Sequence, residues 1–332
     1  MLRLLVDANG EPVSGQRMGE ALDLSRTSIA RAVANLRRIG YSIASSPHHG
    51  HRLVSRPDAL LPFEVLDGLT TIWAGRDVRH YPEVPSTQTV ARSLLQQDAI
   101  HGTLVTAGSQ TKGRGRLGRQ FVSPPGGIWC TLVLRRPLPL DRAPLTGLAA
   151  GVAVAKAIAS EASLQPFLKW PNDVFVNGRK VAGVLLEVSG QEQGLDYALL
   201  GVGINANVSP GDFPAELQSI ATSLVEEQGA PVDRRALLRR YLAELETLVD
   251  SLYAGDRSAV VEAWRHTPNM LGRRVRADEW RESVEGVAMD IEDSGALVVR
   301  LDGGTLATVV AGDVLVINPA AGEPSNAFGK DG

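Results

Sequence analysis

Gln110-Thr111-Lys112-Gly113-Arg114-Gly115-Arg116-Leu117-Gly118-Arg119 packs four cations and three glycines into residues 112–119, with almost nothing apolar to bury. Glycine entropy and like-charge repulsion both oppose a rigid loop of this composition. A polyanion would order it, because main-chain N–H groups freed by glycine and charge-assisted arginine contacts can engage phosphates. Gly113 and Gly118 meet the P-loop spacing, but Arg119-Gln120 stands where Lys-Ser/Thr is required, which excludes that motif.

A second dense stretch is Lys169-Trp170-Pro171-Asn172-Asp173, followed by Gly178-Arg179-Lys180-Val181-Ala182-Gly183. Pro171 interrupts any continuous central strand, so Lys169 and Asp173 are expected to flank a bend between two β-runs. Lysine is scarce: of 34 cations only Lys112, Lys156, Lys169, Lys180 and Lys330 are not arginine. Three of those five lie in these two stretches, as though a compact ammonium were needed there. Pro85-Ser86-Thr87-Gln88-Thr89 places hydroxyls at a strand-to-helix junction, suited to an N-cap and to a small polar head group at a helix N-terminus. Gly201-Val202-Gly203-Ile204-Asn205-Ala206 loosely fits a dinucleotide fingerprint, but Asn207-Val208-Ser209-Pro210-Gly211 gives no helix to receive a pyrophosphate.

Charge and periodicity organise the rest of the 332 residues. The net charge of -3 conceals an asymmetry: residues 1–56 carry eight Arg against Asp7, Glu11, Glu20 and Asp23, hence +4, leaving -7 on the remainder. Within that basic segment, Ser14–Leu22 reads as a short helix. Ser25 then caps a second helix, Arg26–Arg38, which buries Ile29, Ala32, Val33 and Leu36. Its polar face presents Arg26, Thr27, Arg31, Asn35, Arg37 and Arg38. Two short β-runs, Tyr41–Ala44 and His51–Val54, complete the layout of a winged helix-turn-helix, with His48, His49 and His51 at or near the wing tip. Candidate DNA contacts are Ser25, Arg26, Thr27, Arg31 and Asn35.

Residues 57–77 read as a linker beginning at Pro57. Strand and helix patterns then alternate from about residue 78. Strands are expected at Val78–Tyr81, Thr103–Ala107, Ile128–Leu134, Val174–Val176, Lys180–Val188 and Tyr197–Gly203. Helices are expected at Thr87–Leu95, Leu145–Ala162, Asp233–Leu252 and Val260–Arg265. Short alternating β-runs after Leu271 suggest a small barrel, followed by a loose tail over 319–332. The single cysteine, Cys130, excludes a disulfide framework and reads as a buried strand residue. The N-terminus has no signal-peptide pattern, and Leu145–Ala159 is too short to span a bilayer, so a cytoplasmic chain without membrane association is expected. No metal-ligand set stands out.

Ser86-Thr87 before a helix, Gly-Arg-Gly-Arg-Leu-Gly-Arg at 113–119, Lys169-Trp170-Pro171-Asn172-Asp173, Gly178–Gly183 and Gly203-Ile204-Asn205 come in this order. Together they resemble the biotin protein ligase family over residues 78–317, and with the winged helix the chain resembles the bifunctional ligase and biotin operon repressors of bacteria. The resemblance implies an α+β multidomain chain. Its parts would be a winged helix-turn-helix (1–56), a class II synthetase-like α/β catalytic domain (78–267) and an SH3-like C-terminal barrel (268–318). It implies activation of biotin with ATP and Mg²⁺ to biotinyl-5′-AMP, then transfer to a lysine of a biotin carboxyl carrier domain. The adenylate would also serve as corepressor, promoting a homodimer that binds operator DNA. On this resemblance Arg116, Lys180 and Asp173 are the catalytic candidates. Ser86, Thr87, Gln88, Gln110, Arg114, Gly115, Arg116, Lys180, Gly183 and Asn205 would contact biotin or its adenylate. Two departures stand out: Gln88 where the family often has Asn, and a histidine-rich wing in place of a lysine-bearing turn. A ligase whose winged helix serves another role, or a lipoate-ligase-like acyl transferase on the same fold, are the alternatives.

Overall fold

The Ser25 hydroxyl accepts the Ser28 N–H at 3.2 Å, satisfying one of the free donors at the start of a helix. In the computed structural model this helix, α3 (Arg26–Arg38), follows α1 (Leu2–Asp7) and α2 (Gly15–Leu22) and precedes the hairpin β1 (Ser42–Ser46) and β2 (Gly50–Ser55). The structure describes residues 1–47, 49–191, 194–278 and 283–318, so His48 and the expected 319–332 tail lie outside the described residues. The chain divides into two units, Met1–Ala59 and Leu60–Gly332.

In the first unit Leu5, Met18, Ile29 and Val33 are buried together with Tyr41 and Ile43. The helix α1 leaves no periodic signal in the sequence, because it has six residues and buries only Leu5. Gly50 is required at the wing: its φ is +90°, and a Cβ there would stand 2.2 Å from the Val13 carbonyl oxygen. Arg37, grouped above with the exposed cations, instead donates to the Ile43 carbonyl and to the Ser45 hydroxyl and so braces β1. His51 is half-buried, bonded through Nδ1 to Ser45 at 2.7 Å, and so lies within the β1–β2 ladder rather than at the wing tip.

The second unit continues with α4 (Pro62–Leu66), β3 (Asp77–Val84), α5 (Thr87–Leu94), β4 (Thr103–Gln110), β5 (Ile128–Leu134) and α6 (Ala143–Glu161). Next come β6 (Phe167–Lys169), β7 (Asp173–Val176), β8 (Arg179–Gln191), β9 (Gly194–Ile204), α7 (Leu224–Gln228), α8 (Arg234–Ala254) and α9 (Ser258–His266). Five strands close the chain: β10 (Arg274–Asp278), β11 (Ser283–Ile291), β12 (Leu297–Leu301), β13 (Leu306–Val309) and β14 (Asp313–Asn318). The central sheet has the order β3-β4-β5-β9-β8-β7-β6, antiparallel except for β3 against β4. One face packs on α6 and α8, and α5 covers part of the other. The C-terminal sheet, β13-β12-β11-β10-β14, is the SH3-like domain and contributes Val275, Ile291, Leu297 and Val299 to the core shared with α6 and α8.

Two expectations are corrected. The 57–77 linker does not extend past Ala59: Leu60, Val65, Leu69 and Ala74 are buried in the main core. Glu246 of α8 fastens the 72–74 turn by accepting the N–H groups of Ile72, Trp73 and Ala74 at 2.6, 2.8 and 2.8 Å. The apolar stretch expected over Leu145–Ala159 and too short to span a bilayer extends further: Leu140–Glu161 is long and apolar enough to cross a membrane by length and composition. Its helix α6 is apolar because it is buried nearly all round as the core helix of the second unit. Cys130 is a free thiol in that core, its pKa pushed up to about 12 by burial.

Removing the Glu246 carboxylate leaves three main-chain donors without that acceptor, the Ala74 N–H buried and the other two partly buried. Glu246→Ala is therefore expected to cost about 3 kcal/mol of unfolding free energy by urea titration. A loss below about 1 kcal/mol would mean that the 72–74 turn is held by packing alone.

Candidate functional site

Tyr81, Ala107, Trp129, Gly203, Gly183, Asp173 and Lys169 stand in register as one row across all seven strands of the central sheet. The two glycines in the middle of that row open a trough on the face away from α6 and α8. Phe121 lies in it: a Cβ on Gly203 would stand 2.6 Å from Phe121 Cε1, and one on Gly183 would be 3.1 Å from Phe121 Cε2. The Lys180 stem shares the space, 3.2 Å from where a Gly183 Cβ would be, and its Nζ lies 5.7 Å from the Phe121 ring centroid. Gly201, one row along, gives the Gln88 side chain its room in the same way.

The pocket above this trough is lined by Ser86, Thr87, Gln88, Gln110, Arg114, Gly115, Arg116, Asp173, Lys180 and Gly183, which come from five separate chain segments. These are all of the expected small-molecule contacts except Asn205. Asn205 is buried below: its Nδ2 donates to the Thr222 carbonyl at 2.9 Å, tying the end of β9 to the segment before α7. Phe121, Asn172 and Asp313 also line the pocket.

Ser86 occupies the N-cap of α5, yet its hydroxyl makes no capping bond and faces the pocket. Thr87 gives its N–H and hydroxyl to Gln110 Oε1 at 2.8 and 3.1 Å, and receives the Thr131 hydroxyl at 2.9 Å. Gln110 Nε2 donates to Ser123, so this amide is fixed from both ends. The Gln88 amide nitrogen is 3.3 Å from the carbonyls of Leu185 and Leu199, and its Oε1 is buried without a partner. An acceptor stranded in this way suits a ligand N–H.

The basic loop, read as unable to order itself, is folded on its own main chain. Phe121 N–H donates to the Gly113 carbonyl at 2.9 Å and Gly115 N–H to the Arg119 carbonyl at 2.8 Å. Carboxylates supply what a polyanion was expected to supply: Glu187 lies 3.3 Å from Arg114, and Asp313 lies 2.6 Å from Arg119 and 3.9 Å from Arg116. Arg116 also donates to Asn172 Oδ1 and to the Gly312 carbonyl, both at 3.2 Å. Leu117, at the tip, is exposed with φ +55°. Asp313 and Gly312 belong to the C-terminal domain, nearly 200 residues along the chain, and no local pattern pointed to them. Phe121 was closer to hand, as the first aromatic residue after the basic loop.

Lys169 and Asp173 flank the bend as expected and pair directly across β6 and β7. Asp173 Oδ1 is 2.7 Å from Lys180 Nζ, a close ion contact without hydrogen-bond alignment. The Lys180 main chain is gripped by its neighbours: its N–H donates to Ile220 O at 2.8 Å and its carbonyl accepts from Thr222 N at 2.9 Å. In the first unit Ser25, Arg26, Thr27, Arg31 and Asn35 are all exposed at the start of α3 or along one side of it. Among the described residues no cluster of His, Cys, Asp and Glu could hold a metal ion.

Comparison with known proteins gives the same three parts. Residues 81–205 match the Biotin/lipoate A/B protein ligase family, 1–52 an HTH domain, and 270–316 the Biotin protein ligase C terminal domain. The chain is 34% identical over 305 residues to the Bifunctional ligase/repressor BirA of Bacillus subtilis, covering 92% of this chain and 94% of that one. The chain belongs to the biotin protein ligase family. The Escherichia coli ligase/repressor of the same name is 28% identical, covering 89% of this chain and 90% of its own. A biotin protein ligase from Aquifex aeolicus, solved in complex with biotin and ATP, superposes with a TM-score of 0.61 at 27% identity. That match covers 72% of this chain and 97% of the Aquifex protein.

If the Asp313 carboxylate holds the arginine loop, Asp313→Ala loosens it. Trypsin should then cut within residues 112–119 roughly threefold faster or more, read by mass spectrometry of the first fragments. An unchanged cleavage rate would show that the loop's main-chain bonds suffice.

Proposed function

We propose that this family member activates biotin with MgATP to biotinyl-5′-AMP and transfers the biotinyl group to a lysine of a biotin carboxyl carrier domain. We further propose that it acts in the cytoplasm as a biotin-responsive repressor of biotin biosynthesis genes. The observation that carries the ligase reading is the convergence of Arg114, Arg116 and Lys180 with Ser86, Thr87 and Gln110 on one glycine-floored pocket.

The chemistry follows from charge. Biotin's carboxylate is ionised at neutral pH and needs no general base to attack the α-phosphate. What opposes reaction is the approach of two anions and the charge that develops on the phosphate and leaving group. Arg114, Arg116 and Lys180 supply positive charge at that place, and the Mg²⁺ that accompanies ATP adds more. Ser86, Thr87, Gln88 and Gln110 offer fixed polar groups for the biotin head. Asp173, against Lys180, is the candidate for organising the acceptor lysine in the second step or the Mg²⁺ that comes with ATP. The 112–119 loop closes over the adenylate and excludes water, which would otherwise hydrolyse it. Asn205, buried away from the pocket, supports the site from below rather than touching biotin.

For the first unit we propose that Ser25, Arg26, Thr27, Arg31 and Asn35 meet operator DNA, with the adenylate as corepressor favouring a homodimer and paired half-sites. The proposed division of the chain is a winged helix at 1–59, a catalytic domain from Leu60 to 267 and an SH3-like domain at 268–318.

Incubation with biotin, MgATP and a carrier domain should place biotin on the carrier, detected by avidin blot; an unlabelled carrier sinks the ligase reading. A gel shift on the region upstream of biotin genes should tighten when biotin and ATP are both present. A shift indifferent to them removes the repressor role. Arg116→Gly loses the contacts to Asn172 and Gly312 and is expected to leak adenylate and label bystander proteins. Unaltered acceptor selectivity in that variant would refute loop closure.

A further inference from the structure

Lys169 is a cation that none of the roles above uses. It ends the seven-strand row on the same face as the trough, one strand beyond Asp173, with which it pairs in register. It is half-buried, it does not line the pocket, and its Nζ lies 5.4 Å from the Phe175 ring centroid. Asp173 therefore lies between two lysine positions: Lys180 Nζ is in ion contact with it on the pocket side, and Lys169 stands across the β6–β7 pair on the edge side with its Nζ over the Phe175 ring.

This order has an electrostatic consequence. A lysine in close ion contact with one carboxylate carries little net field for a third partner, so an isolated Lys180–Asp173 pair would be a poor anion site. A second cation one strand over restores a net positive charge to the group while the Lys180–Asp173 contact stays in place. We propose that Lys169 is a positioning residue of the ligase reaction: it takes up the charge of Asp173 from the sheet edge and so leaves the Lys180 ammonium available to the anionic reactants. The inference rests on the ligase reading of the pocket. The coupling runs both ways, because burial draws Lys169 below the ordinary lysine value and Asp173 is the foremost charge opposing that shift. Asp313 acts in the same sense from the C-terminal domain, while Lys180 and Arg119 act against it.

The test is biotin-dependent exchange of pyrophosphate into ATP by the full chain, which reads the first half-reaction alone. Lys169→Met and Lys169→Gln should each raise KM for biotin about tenfold or more, a charge effect, while Lys169→Arg keeps it within about threefold of the wild type. The decisive comparison is made against Asp173→Asn. With no carboxylate to take up, adding Lys169→Met should change KM by less than about threefold. Thermal unfolding of each variant separates a folding defect from a charge effect, and Lys169→Arg together with the Asp173→Asn background gives the answer even where Lys169→Met is unstable. Equal penalties for Lys169→Met in both backgrounds, or wild-type KM values in Lys169→Met, overturn the proposal while the ligase reading stands. A wild-type chain without biotin-dependent exchange overturns both.

Discussion

Charge concentrated on one face of a buried sheet is the constraint around which this molecule is arranged. Arg114, Arg116, Arg119 and Lys180 converge there, with Lys169 behind them, and none of these cations sits without a nearby carboxylate or ring. The absence of a side chain at Gly203 is what lets Phe121 lie on the strands, and Gly183 and Gly201 give Phe121, Lys180 and Gln88 close room beside it. The helical layer on the opposite face gives the strands a packed backing.

The carboxylates that answer these cations come from distant parts of the chain. Glu187 is on β8, Asp173 on β7 and Asp313 on the last strand of the C-terminal domain. Each is an anion that a phosphate or carboxylate ligand would have to displace or share. The site is thus lined by exchangeable ion pairs. Partly exposed pairs of this kind contribute little to stability, which makes exchanging them for a ligand inexpensive.

Much of this was legible in the sequence. The strand Ile128–Leu134 and the helix Arg26–Arg38 were found with their exact bounds, because an unbroken apolar run and a serine cap each leave one reading. The 110–120 and 169–183 stretches stand out by composition, and both contribute to the same pocket. What stayed hidden depends on partners far along the chain. Nothing around Asp313 distinguishes it from other surface aspartates until the fold brings it to Arg119. The 60–77 stretch looks like a linker because its anchor, Glu246, is more than 170 residues away. Asn205 shared a motif with pocket glycines, but on a strand a neighbour two positions from Gly203 faces the same way only if the strand continues, and β9 ends at Ile204.

The position of Cys130 also bears on redox chemistry. It is the single thiol of the whole sequence, and it is enclosed with a pKa near 12. Peroxide, disulfides and alkylating agents act on exposed thiolate, and the native fold offers them none. Cys130 is therefore shielded from the reagents that attack a surface cysteine. A cysteine engineered at exposed Leu117 would be the sole accessible handle for reporting on the arginine loop.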